Sequence, residues 1–285
     1  MTLSILYRGP LGSCNYDCAY CPFAKHRSTE QELADDRAGL ARFVDWVTSG
    51  AADALEILFT PWGEALVRRW YREALVTLSR APNVRRVAIQ TNLSGKLEWL
   101  AEADRETVAL WTTFHPTQVS FDRFVSRCRD LDALGVRYSV GIVGKREHRG
   151  DAERLRRALP ESVYVWVNAY KSEGPGYYGA DEVAAFTAVD PLFPINNRRH
   201  ASLGFSCAAG HRAFTVDGVG DVRRCHFIGD RLGNLYTDSL HAMLAPRACT
   251  NASCGCYIGY VHLERLGLRE VYGDGLMERI PRGRD

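Results

Sequence analysis

Short apolar runs alternate with amphipathic stretches along the first two thirds of the chain. Leu3-Ser4-Ile5-Leu6-Tyr7 reads as a strand. Leu40, Phe43, Val44 and Val47 then recur at i, i+3, i+4 and i+7, a helix with one buried face, and Gly50 marks its end. A second strand runs over 54–60, and Trp70, Ala74, Leu75 and Leu78 mark the next helix. The same alternation predicts strands over 84–91, 107–114, 136–143 and 162–169, with helices over 95–104, 121–134, 152–159 and 180–188. Six strands, each followed by a helix, imply βαβ units and an α/β fold with a parallel sheet. Such units curl into barrels whose chemistry sits on loops at the C-terminal strand ends. Six units instead of eight predict an open, partial barrel.

Around residues 190–205 the pattern breaks into a polar, proline-punctuated crossing, Asp190-Pro191-Leu192-Phe193-Pro194 and Asn196-Asn197-Arg198-Arg199. The reading is a core over 1–195 and a smaller metal-binding module over 196–285, opened by a β-hairpin at Phe214–Val222 with Gly and Asp at its turn. The end of the chain, Gly273–Asp285, is polar and is expected to be loosely ordered.

Composition changes this picture only at the cysteines. With 46% hydrophobic and 25% charged residues in 285, a real core is available. A formal charge of +2 leaves no strongly basic face, so nucleic acid is not an expected partner. Neither a membrane span nor a signal peptide is evident, which points to the cytoplasm. Nine cysteines without a secretion signal indicate metal or catalysis instead of disulfides. Cys128 is the exception: it shares a helical face with Phe121, Phe124, Val125, Leu131 and Leu134 and reads as core.

Three cysteines, Cys14, Cys18 and Cys21, stand at C-x3-C-x2-C just after the first strand. Cysteine-held iron–sulfur clusters normally take four thiolates. Three ligands leave one iron open, as a catalytic zinc keeps one position for its reactant. With Tyr20 before the last cysteine, the motif resembles the signature of the radical S-adenosylmethionine (radical SAM) superfamily. That resemblance implies a partial (β/α)6 barrel, and a [4Fe–4S] cluster whose open iron is chelated by the amino and carboxylate groups of SAM. It also implies one-electron reductive cleavage to a 5′-deoxyadenosyl radical that abstracts a substrate hydrogen. A zinc knuckle or a redox-sensing cysteine group is the alternative.

Other strand ends resemble the same family in part. Thr60-Pro61-Trp62-Gly63-Glu64 stands where members carry a Gly-Gly-Glu-like motif, with Trp62 in place of the first glycine. Gly63 and Glu64 are the implied contacts to the SAM ammonium; an acid opening the next helix is the plainer role for Glu64. Asn92 and Thr113 resemble the ribose and carboxylate contacts, although Asn92 also suits a turn. His115 is either a proton carrier or a hydrogen-bonded structural histidine. At the fifth strand Ile142 and Gly144 fit most of a G-x-I-x-G-x-x-E adenine motif. Val140 replaces its first glycine and Gly141 stands one place late.

A second cysteine set lies beyond the crossing. Cys207 precedes the hairpin and Cys225 closes it, and C-x12-G-x4-C with Gly220 resembles the auxiliary-cluster module called Twitch, or its larger form SPASM. The later Cys249, Cys254 and Cys256 are not the full SPASM series. There are thiolates for one auxiliary [4Fe–4S] cluster with one to spare; a structural zinc site is the alternative. Period-two alternation in an extended segment points Cys254 and Cys256 the same way, so they are the expected pair and Cys249 the expected spare. The expected function is a radical SAM enzyme acting on a small molecule or peptide, supplied with electrons by a flavodoxin- or ferredoxin-type reductase. The first strand begins at once, so no N-terminal peptide-recognition domain is expected. The competing class is an iron–sulfur electron carrier or zinc-stabilised binding protein without SAM chemistry.

Overall fold

The computed structural model describes residues 2–23 and 26–283. Six parallel strands run in sequence order: β1 (Leu3–Arg8), β2 (Leu55–Phe59), β3 (Val84–Thr91), β4 (Val108–Phe114), β5 (Arg137–Gly144) and β6 (Val165–Ala169). Between and after them come α1 (Glu30–Thr48), α2 (Arg69–Ser79), α3 (Phe121–Leu134), α4 (Arg149–Ala158), α5 (Ala180–Val189) and the short α6 (Phe193–Asn196). Thr29 and Glu32 form a capping box that starts α1. Ser120 caps the start of α3, and Gly135, at φ 66°, ends it in the left-handed conformation. No helix among the described residues is long and apolar enough to cross a membrane.

Strand alternation sorts the side chains into two cores. Ile5, Ile57, Ile89, Leu110, Val140 and Val167 point outward and are covered by the helices. Leu6, Leu58, Ala88, Ala109, Trp111 and Trp166 point inward. The inner face keeps small residues where large ones cross it. A Cβ on Gly141 would lie 2.0 Å from the Trp166 ring, so that position is a packing glycine. Gly141→Ala should destabilise the fold by roughly 1–3 kcal/mol, the usual cost of overpacking, read as a lowered denaturation midpoint with an unchanged slope.

The sheet continues past β1. After β7 (His200–Ala201) and β8 (Ser206–Cys207), strand β9 (Ala213–Asp217) pairs parallel with β1, placing Phe214 opposite Ile5. Antiparallel β10 (Asp221–Arg223) and β11 (Arg231–Asn234) complete nine strands in the order β11-β10-β9-β1-β2-β3-β4-β5-β6. The expected hairpin is therefore β9–β10, and it extends the barrel sheet. The rest of the chain holds α7 (Leu240–Met243), β12 (Arg247–Ala248), β13 (Ser253–Cys254), α8 (Tyr257–Tyr260) and α9 (Leu268–Tyr272).

Two expectations are corrected. The stretch over 95–104 is a 3-10 turn, Glu98–Ala101, not a helix. Trp99 Nε1 donates to the Lys96 carbonyl (2.9 Å), and the Leu100 amide turns to Leu97 instead. The C-terminal stretch is not loose over its described part, 273–283, where Leu276, Met277, Glu278, Arg279 and Ile280 are buried; 284–285 lie outside the described residues. It closes the barrel from the N-terminal side of the strands. Glu278 pairs with Arg86 (3.4 Å) and Arg137 (3.2 Å), and its carbonyl accepts Ser139 Oγ at 2.6 Å. The residue after it, Arg279, lies among the rings of Trp111, Trp166 and Tyr257. The polar side chains suggested a tail because their partners are distant in sequence. Glu278→Ala leaves two arginines facing a carboxylate that is gone, and should cost about 3–5 kcal/mol, seen in chemical denaturation. Cys128 is fully buried on α3 as expected, its thiol pushed up to about 12 by burial.

Candidate active site

The loop carrying the first three cysteines is fixed over residues 11–17. As it leaves β1, the Leu11 amide donates to Asp36 Oδ1 (3.3 Å); this buried carboxylate on α1 also accepts Tyr71 OH and Trp70 Nε1. Gly63, after β2, lets the loop pass: a Cβ there would sit 1.8 Å from the Ser13 carbonyl. Asn15 bonds Asn92 Nδ2 (3.1 Å) and Ser94 Oγ (3.0 Å) after β3, and Gln118 accepts the Asp17 amide (3.0 Å) after β4. Strand ends thus staple the loop across the barrel mouth.

Cys14, Cys18 and Cys21 line one cavity of about 920 Å³, near the upper end of the ~300–1,000 Å³ usual for ligand pockets. Tyr20, Gly63, Glu64, Asn92 and Thr113 line it too. Tyr20 OH lies 2.9 Å from His115 Nδ1, which is also 3.4 Å from Cys18 Sγ. Burial, with His148 nearby, lowers His115 to about 4, so the ring is neutral near pH 7. Its contacts suit a residue that orients the cysteine loop more than a proton carrier. The donor set suits an iron–sulfur group in kind: three soft thiols line one open space, while among the described residues no three His, Cys, Asp or Glu side chains stand close enough to hold a single metal ion.

Glu64 is 2% exposed, accepting Leu66 N (3.0 Å), Thr91 Oγ1 (2.8 Å) and Asn92 N (2.5 Å). It caps the 3-10 turn Ala65–Val67 from a buried position, not as an exposed acid opening the helix α2, and it also lines the cavity. Burial pushes its carboxyl up to about 7 against these three hydrogen bonds. The adenine expectation at β5 moves by one residue. Ile142 is fully buried on the helix side, and its neighbour Val143 is the one that lines the cavity. Gly144 also lies off the cavity lining; its carbonyl accepts Tyr178 OH at 2.5 Å, and a Cβ there would meet Val167 and Tyr178. Period-two alternation is the reason, because Gly141 and Val143 share the inner face.

The second cysteine set divides differently from expectation. Cys207, Cys225, Cys249 and Cys254 ring a separate small void of about 20 Å³. The β8–β12 pair sets Cys207 opposite Arg247, and the β7–β13 pair holds Cys254 opposite His200. The Cys249 amide bonds the Phe205 carbonyl (2.9 Å), turning its segment toward the same void. Gly259 makes room, since a Cβ there would lie 2.7 Å from Cys254 Sγ. Arg224 also lines the void, donating to the Ala248 (2.6 Å) and Arg247 (3.1 Å) carbonyls. Its charge draws the Cys207 and Cys225 thiols down, while burial, the larger effect, raises them.

Cys256, an exposed residue, lines the large cavity, where burial of its thiol raises the thiol's pKa. Strand β13 ends at Cys254; the Gly255 carbonyl accepts Lys171 Nζ at 2.5 Å, and Cys256, itself in extended conformation, precedes α8. Cys254 lines both the large cavity and the small void, whereas Cys256 lines only the cavity and Cys249 only the void. Lys171 and Arg279 were missed as cavity residues. Lys171 was findable, because it lies two residues beyond the end of β6. Arg279 carried no local signal.

No family model matches the chain, and no curated protein matches its sequence. Solved structures do match in fold. The structure of anSMEcpe with bound AdoMet and the Cp18Cys peptide is 15% identical, with a TM-score of 0.56 over 85% of this chain and 80% of that one. The complex of anSMEcpe with AdoMet and the Kp18Cys peptide is 13% identical, TM-score 0.58, over 85% and 80%. SuiB from Streptococcus suis, bound to S-adenosylmethionine, is 16% identical, TM-score 0.58, over 85% of this chain and 65% of that one. The chain shares the partial-barrel fold of these S-adenosylmethionine-bound proteins.

Proposed function

We propose that the chain is a radical SAM enzyme, with one cluster on Cys14, Cys18 and Cys21 and an auxiliary iron–sulfur cluster on Cys207, Cys225, Cys249 and Cys254. The observation that carries this is that three thiols, with Glu64 and Asn92, line one large cavity at the C-terminal mouth of a parallel partial barrel. When bound, a [4Fe–4S] cluster with an open iron supplies the electron that cleaves SAM to a hydrogen-abstracting 5′-deoxyadenosyl radical. The chain's own part is to hold and shield. Tyr20 and His115 brace the cysteine loop, Glu64 and Asn92 offer acceptors to the SAM amino acid end, and Thr113 and Val143 line the cavity. The substrate is a small molecule or peptide, as with the peptides held by anSMEcpe. Electrons come from a flavodoxin- or ferredoxin-type donor, and the division at 195/196 separates the SAM-binding part from the auxiliary part. The test is anaerobic reconstitution with iron and sulfide, then reduction in the presence of SAM. Formation of 5′-deoxyadenosine supports the reading, and iron incorporation without it sinks it in favour of an electron carrier.

Glu64 supplies a pH signature. A carboxyl raised to about 7 in the free protein keeps its proton below that pH. An ammonium binds the ionised form, so SAM binding expels that proton. Affinity should therefore rise by up to about tenfold per pH unit below 7 and level off above it. Glu64→Gln should flatten the profile and weaken binding about tenfold or more near neutrality, as for a lost charge-assisted hydrogen bond. Calorimetry across pH 5.5–8 checks both; a flat wild-type profile would return Glu64 to capping alone.

A further inference from the structure

The wall of the large cavity beside Cys256 is basic. Lys171, Arg199, Arg8 and Arg279 all line it, whereas its acidic residues are Asp17 and Glu64 on the cysteine-loop side. Arg279 is 1% exposed, with its guanidinium carbon 4.5 Å from the Trp166 ring centre and 4.6 Å from that of Tyr257. Its Nε is buried without a hydrogen-bond partner. The nearest acid whose charge reaches it, Asp190, is held by Tyr164 OH and by the amides of Val167 and Leu192, and no ion pair joins it to Arg279 among the described residues. Lys171 Nζ spends one donor on the Gly255 carbonyl, leaving two. Arg8 donates Nε to the Thr60 carbonyl (2.6 Å) and stacks on Trp62 at 3.9 Å. Aromatic faces hold a guanidinium while leaving its edge for a planar anion.

We propose that the substrate carries a small anionic group, a carboxylate or a phosphate, seated against Lys171, Arg279, Arg199 and Arg8 beside the Cys256 thiol. This rests on the large cavity being the catalytic site proposed above. The anion takes up the buried Arg279 Nε and the two remaining Lys171 donors, and it sets the rest of the substrate between Cys256 and the first cysteine loop. Cations that only offset the charge of bound iron–sulfur groups would show no preference for anionic ligands.

Cys256 reports on this subsite directly. In reconstituted protein, alkylation by iodoacetate, an anion, is compared with alkylation by neutral iodoacetamide, using mass-spectrometric peptide mapping. In each reaction the thiolate displaces iodide, an S–C bond forms and the thiol proton goes to solvent. The ratio of the two rates cancels the thiolate fraction. The ratio at Cys256 should exceed that of free cysteine at least tenfold and fall back toward it in Lys171→Met. Arg199→Gln, an exposed position, serves as the second variant. Protection by malonate but not phosphate identifies a carboxylate, and the reverse identifies a phosphate. A ratio equal to that of free cysteine, a ratio unchanged in both variants, or protection by neither anion overturns the proposal. No SAM cleavage is needed for this readout. A raised ratio in protein that makes no 5′-deoxyadenosine would count against the enzyme reading alone, and a flat ratio in active protein against the anion subsite alone.

Discussion

Replacing Cys14, Cys18 and Cys21 together by alanine is expected to reduce 5′-deoxyadenosine formation to background while the iron of the second cysteine set stays bound. The two sets are held by different elements, with Cys254 alone bordering both the large cavity and the small void. The first hangs from β1 on a loop stapled to Asp36, Asn92 and Gln118, and the second rings its own void among β8, β12 and β13. The loop's anchors are backbone amides and asparagine and glutamine side chains, so removing three sulfurs leaves the scaffold standing. On the proposed function, loss is all-or-none because SAM is cleaved only when its amino acid end is held at the open iron. Iron analysis and chromatography of the nucleoside product read both halves of the prediction.

The second large effect separates Cys249 from Cys256. Cys249→Ala should strip or degrade the second cluster, and Cys256→Ala should retain its iron, measured on a background lacking the first three cysteines. The four ring thiols are held by short strand pairs and by the Gly259 gap, and Arg224 offers counter-charge to the thiolates they become on binding iron. Cys256 faces across the large cavity toward Lys171. Iron lost from Cys256→Ala but kept in Cys249→Ala would restore the pairing expected from the sequence. Tightly bound zinc in the purified protein would replace the auxiliary cluster altogether.

The parts legible in the sequence were those written in local periodicity. Apolar alternation located all six barrel strands, and C-x3-C-x2-C after the first of them marked the mouth of the barrel. Cys128 could be assigned to the core because its helical neighbours are all apolar. What escaped depended on distant partners or on a single turn. That Cys249 and not Cys256 borders the void with Cys207, Cys225 and Cys254 was not legible, because the β8–β12 and β7–β13 pairs that gather them join residues distant in sequence. Ile142 looked like a cavity residue by motif, but parity with Gly141 assigns the inner face to Val143. Glu278 and Arg279 read as a polar tail because Arg86, Arg137, Trp111 and Trp166 lie more than a hundred residues away. The 3-10 turn at Glu98 hid behind buried residues whose spacing also suits a helix.

The most direct test of the central claim is low-temperature electron paramagnetic resonance of the reduced, reconstituted protein with and without SAM. An iron open to the cavity at Cys14, Cys18 and Cys21 should change its signal when SAM is added, and the change should persist in Cys207→Ala/Cys225→Ala and vanish in the triple alanine variant. A reduced-cluster signal that is the same with and without saturating SAM would contradict the account.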